Sequence, residues 1–551
     1  MIQHRPPLVG FLVIYVLAAC HPTSTTLDSA ADTVDPSLDQ QIGQLMMVGF
    51  KGTELTPDIR KTLRELQPGG ICLYKQNITD AAQVSKLNEE LRSCVEGGIP
   101  PFIAVDQEGG TVVRIDDGVT VLPGNMSLGA TRSAELAEKA GQVQGRELRL
   151  LGFNMNLAPV LDIPDNAAIA TRSFSDQPEL ISQLGAAYIN AQQDANIATI
   201  AKHFPGEGHS RTDSHYKLPV RRETAKALRV ELSPFCDAIS RDLDGLMTAH
   251  VAMPTLIGDQ VPATISSRLL TGLLREEFGF DGLILTDELE GMRSISEYGV
   301  DRVAVSAIKA GADMVFIAFS GDTQKKVRAA LIKAVRSGDI PARRFDDALR
   351  HIRALKLKRK VFDPLPPVEQ RLAELRRNQD NSVAKEIAQK SITCLRLAPN
   401  TLPLNAKSRI GIISDSQNLA DAVRTWAPQS QLLLIDSDSM KHKRVLRQRV
   451  QQLARDSDVV IAGFIVASRL DVADYLREAG RPLIVVLMNV PAGDFADQVP
   501  DARAILETYS YQPVAVAAAA AAIFGGVEMA GISPVNATEL SAVMVKTAKA
   551  Q

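Results

Sequence analysis

Between residues 40 and 320 the chain alternates short, nearly continuous apolar runs with longer stretches whose apolar positions recur at helical spacing. The runs lie at 46–50, 70–74, 102–106, 155–160, 198–203, 245–250, 282–287 and 313–318. Unbroken apolarity, rather than strict alternation, suits strands buried on both faces of a parallel sheet. Amphipathic segments such as 135–151 and 268–278 supply helices between them. Eight repeats in this length predict an N-terminal (β/α)8 barrel of the TIM type. A second alternation follows, with strand-like runs at 410–413, 432–436, 459–464, 483–487 and 504–509 and helical patterns at 445–454 and 472–479. It predicts a smaller doubly wound α/β sandwich. The first strand–helix turn there, IGIISDSQNLAD, lacks the glycine pattern of a phosphate-binding loop, which disfavours nucleotide binding. The alanine run AVAAAAAAIFGG reads as a packed helix ending at glycine, not as a membrane span.

The 551 residues exceed what one core accommodates, in keeping with two large domains. Lys and Arg number 61 against 64 Asp and Glu, a net charge of -3, which argues against nucleic acid as a partner. Of the five cysteines, Cys72, Cys94, Cys236 and Cys394 have neither zinc-site nor disulfide-framework spacing and read as buried thiols. Cys20 differs. It closes MIQHRPPLVGFLVIYVLAAC, a secretory signal whose apolar run is too short for a permanent span. Leu17-Ala18-Ala19-Cys20 resembles the lipobox of bacterial lipoproteins, which implies that Cys20 is lipidated and becomes the first mature residue. A polar, Ser/Thr/Asp-rich segment follows as a tether. The expected order is a signal at 1–20, a tether at 21–38, the barrel at 39–362, a linker with a charged helix at 363–381 and the sandwich at 382–551. The expected location is the bacterial cell envelope, outside the cytoplasm, with membrane contact through the lipid anchor only.

Polar residues sit at equivalent ends of the barrel runs: Asp106, Asp162 just past the fourth, Lys202 and His203, His250 and Asp287. The C-terminal ends of barrel strands share one mouth, where such folds carry their chemistry. Nearby, KHFPGEGHSRTDSHYKLP (202–219) collects His203, His209 and His215 from a chain with eight histidines. Six-residue spacing broken by Pro205, Gly206 and Gly208 matches no metal-ligand pattern, so no metal is expected. Asp213-Ser214-His215 instead places a carboxylate within reach of an imidazole, which orients the ring and stabilises its cation for proton transfer. Asp287, across the mouth, is the candidate reacting partner. A carboxylate nucleophile with a separate acid/base is what retaining glycoside hydrolysis requires.

The 202–219 segment resembles the K-H-F-P-G-H-G…D-S-H…L-P signature of family 3 glycoside hydrolases of the β-N-acetylglucosaminidase type. GGICLYKQNI, AVDQEGGTVVRI, LPGNMSLGA, NLAPVLDI, TRSFS, MTAHVAMP and GLILTDELEGM extend the resemblance in family order, and RPLIVVLMNVPAGDF and ETYSYQPVAVAAAAAAIFGG resemble the family's second domain. The resemblance implies Asp287 as nucleophile, His215 as general acid/base and Asp213 as its partner. It implies sugar contacts from Asp106, Arg114, Arg172, Lys202 and His203, a looser lining role for His250, none for His209, and no cofactor. The implied activity is retaining exo-hydrolysis of N-acetylglucosaminides such as peptidoglycan fragments. A β-glucosidase-like exo-hydrolase, a phosphorylase and a non-catalytic sugar-binding lipoprotein remain as alternatives. Two departures stand out: Glu207 occupies a usual histidine position, and TDELEGM carries an extra glycine.

Overall fold

The structure, a computed structural model, describes residues 37–95, 99–164, 168–208, 217–258, 260–465, 471–478, 480–489 and 499–536. Eight strands close a parallel barrel in chain order: β1 (Met46–Val48), β2 (Gly70–Leu73), β3 (Phe102–Val105), β4 (Met155–Asn156), β5 (Ala198–Phe204), β6 (Gly245–Thr248), β7 (Leu283–Glu288) and β8 (Met314–Ile317). β1 pairs with both β2 and β8, so no strand edge is left open. The strands are buried on both faces, as their unbroken apolar runs require, and only Asp287 of β7 is partly exposed.

Most strands stop short of the apolar run that signals them. The run at 155–160 keeps only Met155–Asn156 in the ladder, and that at 245–250 ends its pairing at Thr248. Beyond Asn156 the chain rejoins β5 through a parallel bridge between Val160 and Lys202, the Lys202 amide donating to the Pro159 carbonyl and the Leu161 amide to the Lys202 carbonyl, which sets Asp162 at the end of the barrel beside His203.

The second domain is a six-stranded sheet with strand order β11-β10-β12-β13-β14-β9. It comprises β9 (Thr393–Leu397), β10 (Ile410–Ser414), β11 (Gln431–Leu434), β12 (Val459–Phe464), β13 (Leu483–Leu487) and β14 (Ala502–Glu507). Five strands run parallel, and β9 adds an antiparallel edge on β14. Helices cover both faces over separate apolar clusters. β9 escaped the sequence reading because TCLRL is only half-buried and lacks the apolar run of a central strand.

The two domains are joined by more than a connection. The helix Asn378–Ser391 contributes Val383, Ala384 and Ile387 to the barrel core and Ala388 to the sandwich core. Around it, Ser127 Oγ donates to the Thr508 carbonyl (3.1 Å) and Arg132 to the Ser533 carbonyl (2.8 Å). Met126, Ala130, Tyr509 and Val535 form a small buried apolar contact. The alanine run folds as the helix Pro513–Ile523, whose small side chains allow close packing on Asn378–Ser391 and Gln417–Arg424. Among the described residues no helix is long and apolar enough to cross a membrane.

Candidate active site

The mouth is built from the residues that follow β2 to β8. At its centre lies a buried ion network. Lys202 Nζ, near the end of β5, sits 2.7 Å from Asp106 Oδ1 and 2.7 Å from Glu108 Oε1. Arg172 grips Glu108 with two parallel bonds, Nε to Oε2 at 2.9 Å and a terminal nitrogen to Oε1 at 2.8 Å. Bidentate pairing fixes geometry as well as adding energy. Burial by itself would raise the Glu108 carboxyl, but the Arg172 and Lys202 charges outweigh it and hold the group well below the usual carboxylate range. Burial likewise pulls Lys202 down, and Asp106 and Glu108 reverse this and raise it. Glu108, Lys202 and Arg172 therefore hold one another in their charged forms.

Exposure then divides the network. The Lys202 and Glu108 side chains are 3% and 1% exposed, whereas Asp106, Arg172 and Arg114 retain 13%, 20% and 29%. The buried pair holds the partly open groups in place. Arg114 lies 3.7 Å from Asp106 and sets its guanidinium carbon 5.8 Å from the centre of the Tyr74 ring. Its loop folds back through Gly109 and Gly110, whose φ values of +85° and +60° favour glycine. The Gln107 amide then staples the return, accepting from the Arg114 and Ile115 amides (2.8 and 3.1 Å) and donating to the Ile115 carbonyl (2.9 Å).

Asp162 organises the chain after β5. Its Oδ2 accepts the His203 amide at 2.9 Å and lies 2.7 Å from His203 Nδ1, and its Oδ1 accepts the Glu207 amide at 2.9 Å. Burial lowers the His203 imidazole, but the Asp162 carboxylate wins and raises it. Burial raises the Glu207 carboxyl, with the like charges of Asp162 and Asp287 adding to the effect and His203 opposing it. Glu207 is thus a buried acid in the same electrostatic neighbourhood as Asp287.

Asp287 lies near the end of β7, partly exposed, its Oδ1 accepting the Glu288 amide at 2.7 Å. The neighbouring Glu288 turns inward, accepting the amides of Glu290 (2.9 Å), Gly291 and Ala318 (3.1 Å). The extra glycine of TDELEGM is used here. A Cβ on Gly291 would stand 3.0 Å from Glu288 Oε2 and 3.3 Å from Phe319, so the glycine lets the loop close without displacing Asp287. His250 is wholly buried, donating from Nε2 to the Glu288 carbonyl (3.0 Å) with Nδ1 2.7 Å from Thr264 Oγ1. It therefore braces the end of β7.

Tyr74 links the two sides. Burial raises its phenol well above the ordinary value, and the carboxylates of Asp106, Glu288 and Asp287 add to the shift. Phe316 and Phe319 pack beside its ring at centroid distances of 6.4 and 5.6 Å. The sandwich also reaches this region: Asn489 accepts from Thr171 Oγ1 (2.6 Å), beside Arg172, and Gln512 donates to the Gly110 carbonyl (2.7 Å).

The structure thus gathers Asp106, Arg114, Arg172, Lys202, His203 and Asp287 at one barrel end. Asp213, His215 and His209 lie outside the described residues, as does Cys20. Glu108 and Tyr74 were missed as site residues. Both stand inside motifs already singled out, but nothing in a linear sequence marks one carboxylate of DQEGG as the partner of an arginine 64 positions later. Among the described residues no group of three or more His, Cys, Asp or Glu could hold a metal ion. A partly open set of carboxylates and guanidinium groups, with a further carboxylate at the same barrel end, suits a ligand rich in hydroxyls.

Residues 37–355 match the family model for the glycosyl hydrolase family 3 N terminal domain. A beta-hexosaminidase from Thiobacillus denitrificans is 37% identical over 295 residues, covering 52% of this chain and 81% of that protein. Beta-hexosaminidase A from Pseudoalteromonas piscicida is 31% identical over 380 residues, and the match spans 61% of this chain but only 63% of that relative's length. Among solved structures, a glycoside hydrolase family 3 beta-N-acetylglucosaminidase from Paenibacillus sp. str. FPU-7 superposes with a TM-score of 0.83 at 32% identity, covering 92% of this chain and 99% of that one.

Proposed function

The chain belongs to glycosyl hydrolase family 3, and on that basis we propose that it is a retaining exo-β-N-acetylglucosaminidase. The observation that carries the reading is the Asp106–Lys202–Glu108–Arg172 network standing beside Asp287 at the barrel mouth. The network is preorganised: its charges are held by one another before any sugar arrives, so little reorganisation accompanies binding. Asp106 accepts from sugar hydroxyls while Arg114 and Arg172 donate to others, which seats the terminal residue with its anomeric carbon toward Asp287.

In the proposed reaction Asp287 attacks the anomeric carbon as His215 gives a proton to the leaving oxygen. His215, held by Asp213, then takes a proton from water, whose oxygen displaces Asp287 and releases the sugar with retained configuration. Peptidoglycan fragments are the proposed natural substrates. Lipidation of Cys20 would tether the enzyme to the cell envelope outside the cytoplasm, where such fragments are exposed.

Turnover of 4-nitrophenyl N-acetyl-β-glucosaminide tests the activity, with the matching glucoside as control. Expected is release from the N-acetylglucosaminide and a 2-fluoro sugar trapped on Asp287. Preference for the glucoside, or a label on another residue, overturns the reading.

A further inference from the structure

A cleft of about 920 Å³ opens between the two domains, toward the upper end of the size range of small-molecule sites. Its walls include Asp116 from the barrel, Lys385 and Gln389 from the bridging helix, and Asn418, Trp426 and Gln512 from the sandwich. The helix Pro513–Ile523 supplies Ala517, Ala518 and Ala521, a flat apolar surface from which no long side chain projects.

Trp426 is the only tryptophan in the chain, and it is 40% exposed. Exposing so large an apolar surface forgoes burial that the fold could have used. The ring is nonetheless held firmly. Phe524 stacks on it with centroids 5.7 Å apart and planes only 4° from parallel. Gly526 presses on the benzo ring so closely that a Cβ there would lie 2.7 Å away. The indole is therefore an oriented platform, backed by one aromatic ring and opening to the cleft.

We propose that this cleft is a second carbohydrate-binding site, separate from the barrel mouth, where a pyranose stacks its C–H face on Trp426 and neighbouring amides read its hydroxyls. A sugar ring offers both features at once, an apolar face and an equatorial rim of donors and acceptors. Gln389, Asn418 and Gln512 carry amides that can accept and donate. The charged residues on the walls are Asp116, which is paired with Lys75, and the two cations Arg376 and Lys385, a smaller share than the neutral amide, aromatic and alanine surface in the rest of the lining. The site is continuous with the mouth through the chain, because the segment from Asp106 to Asp116 supplies both the clamp and the cleft wall, and Gln512 bonds to Gly110 within it. An oligosaccharide retained here would keep substrate close to the mouth between turnovers.

Because Trp426 is the sole tryptophan, its emission reports on this cleft. The full chain carrying Asp287→Asn would be titrated with β-1,4-linked tetramers of N-acetylglucosamine and of glucose, with glycerol as control. A saturable change in emission with at least one tetramer is expected, and it should persist when Arg172→Ala is added to cripple the mouth. Calorimetry should show two sites, with Trp426→Ala weakening the second by tenfold or more and Trp426→Phe restoring part of the affinity, as aromatic anchors dominate such contacts. On an otherwise wild-type chain, Trp426→Ala should leave kcat/KM for the small chromogenic glycoside within about twofold. No saturable response to either tetramer overturns the proposal. So does a response that disappears with Arg172→Ala, since the signal would then come from the mouth. Emission is read without turnover, so failure of the catalytic reading leaves this test intact.

Discussion

The two ends of the barrel solve one electrostatic problem in opposite ways. At the end where the strands begin, Asp313 and Asp244 are fully buried and closed in by protein. Asp313 receives Arg275 (2.6 Å), Arg344, the Ile284 amide (2.9 Å) and His351 (2.9 Å). Asp244 receives two bonds from Arg359 and an ion pair from Lys358 (3.0 Å). At the other end Glu108 is as deeply buried, but the groups linked to it, Asp106 and Arg172, keep part of their surface open. A closed network stitches helices to strands. An open one leaves binding capacity facing outward. Burial of charge by itself therefore does not mark a candidate site; a preorganised network that keeps some of its charged groups partly exposed does.

Breaking the mouth should show the largest effects on activity. Asp287→Asn should lower turnover by more than about 10³-fold, because the covalent route is lost. Its melting temperature should stay near wild type, since the side chain is partly exposed, and a thermal melt beside the assay checks both.

The next effect in size is His215→Ala. It should slow glycosides with poor leaving groups by about 10²–10⁴-fold and activated phenols much less, Asp213→Ala following more mildly and His209→Ala hardly at all. A leaving-group series of kcat/KM decides this. Equal losses across the series would mean that His215 only positions substrate.

The comparison itself is sharpened by paired variants. Glu108→Gln and Asp313→Asn each strand buried cations, and each should cost about 3–5 kcal/mol of stability in denaturant unfolding. Only Glu108→Gln should also raise KM and lower kcat per folded molecule, because in the proposed function only that network meets the ligand. Equal catalytic loss in both would remove the distinction between the two ends.

The effect expected to touch activity least is on stability against pH. Burial holds Lys356, near the start of the barrel strands, down at about 7 from an ordinary 10.5. Between those values the unfolded chain binds the proton and the folded chain does not, so this group makes stability rise with pH from about 7 to 10.5. Below about 7 the folded chain must hold the charge in a buried site, and the full cost applies. Lys356→Met, although it forgoes the bond to Gln44 (2.7 Å), should flatten melting temperature against pH across that window.

How much was legible in the sequence depends on the range over which each feature is set. Central strands announce themselves because burial on both faces demands unbroken apolar runs, and the ends of those runs pointed to Asp106, Lys202, His203 and Asp287 at one rim. The edge strand Thr393–Leu397 did not, since an edge tolerates the polar Arg396 and asks little of composition. The family motifs carried Arg114 and Arg172 by likeness, without revealing what either touches.

Fold class, the order of domains and the catalytic candidates were thus determined by local periodicity and short motifs, which survive in one dimension because hydrophobic burial and turn chemistry act over a few residues. The tertiary structure alone decided that Glu108 holds Arg172, that Asp162 gathers His203 and Glu207, that His250 supports the strand bearing Asp287, and that Trp426 faces a cleft between domains. Each of these depends on which distant side chains share a low-dielectric space. An ion pair or a buried hydrogen bond is fixed by distance in three dimensions, and separation along the chain carries almost no record of it.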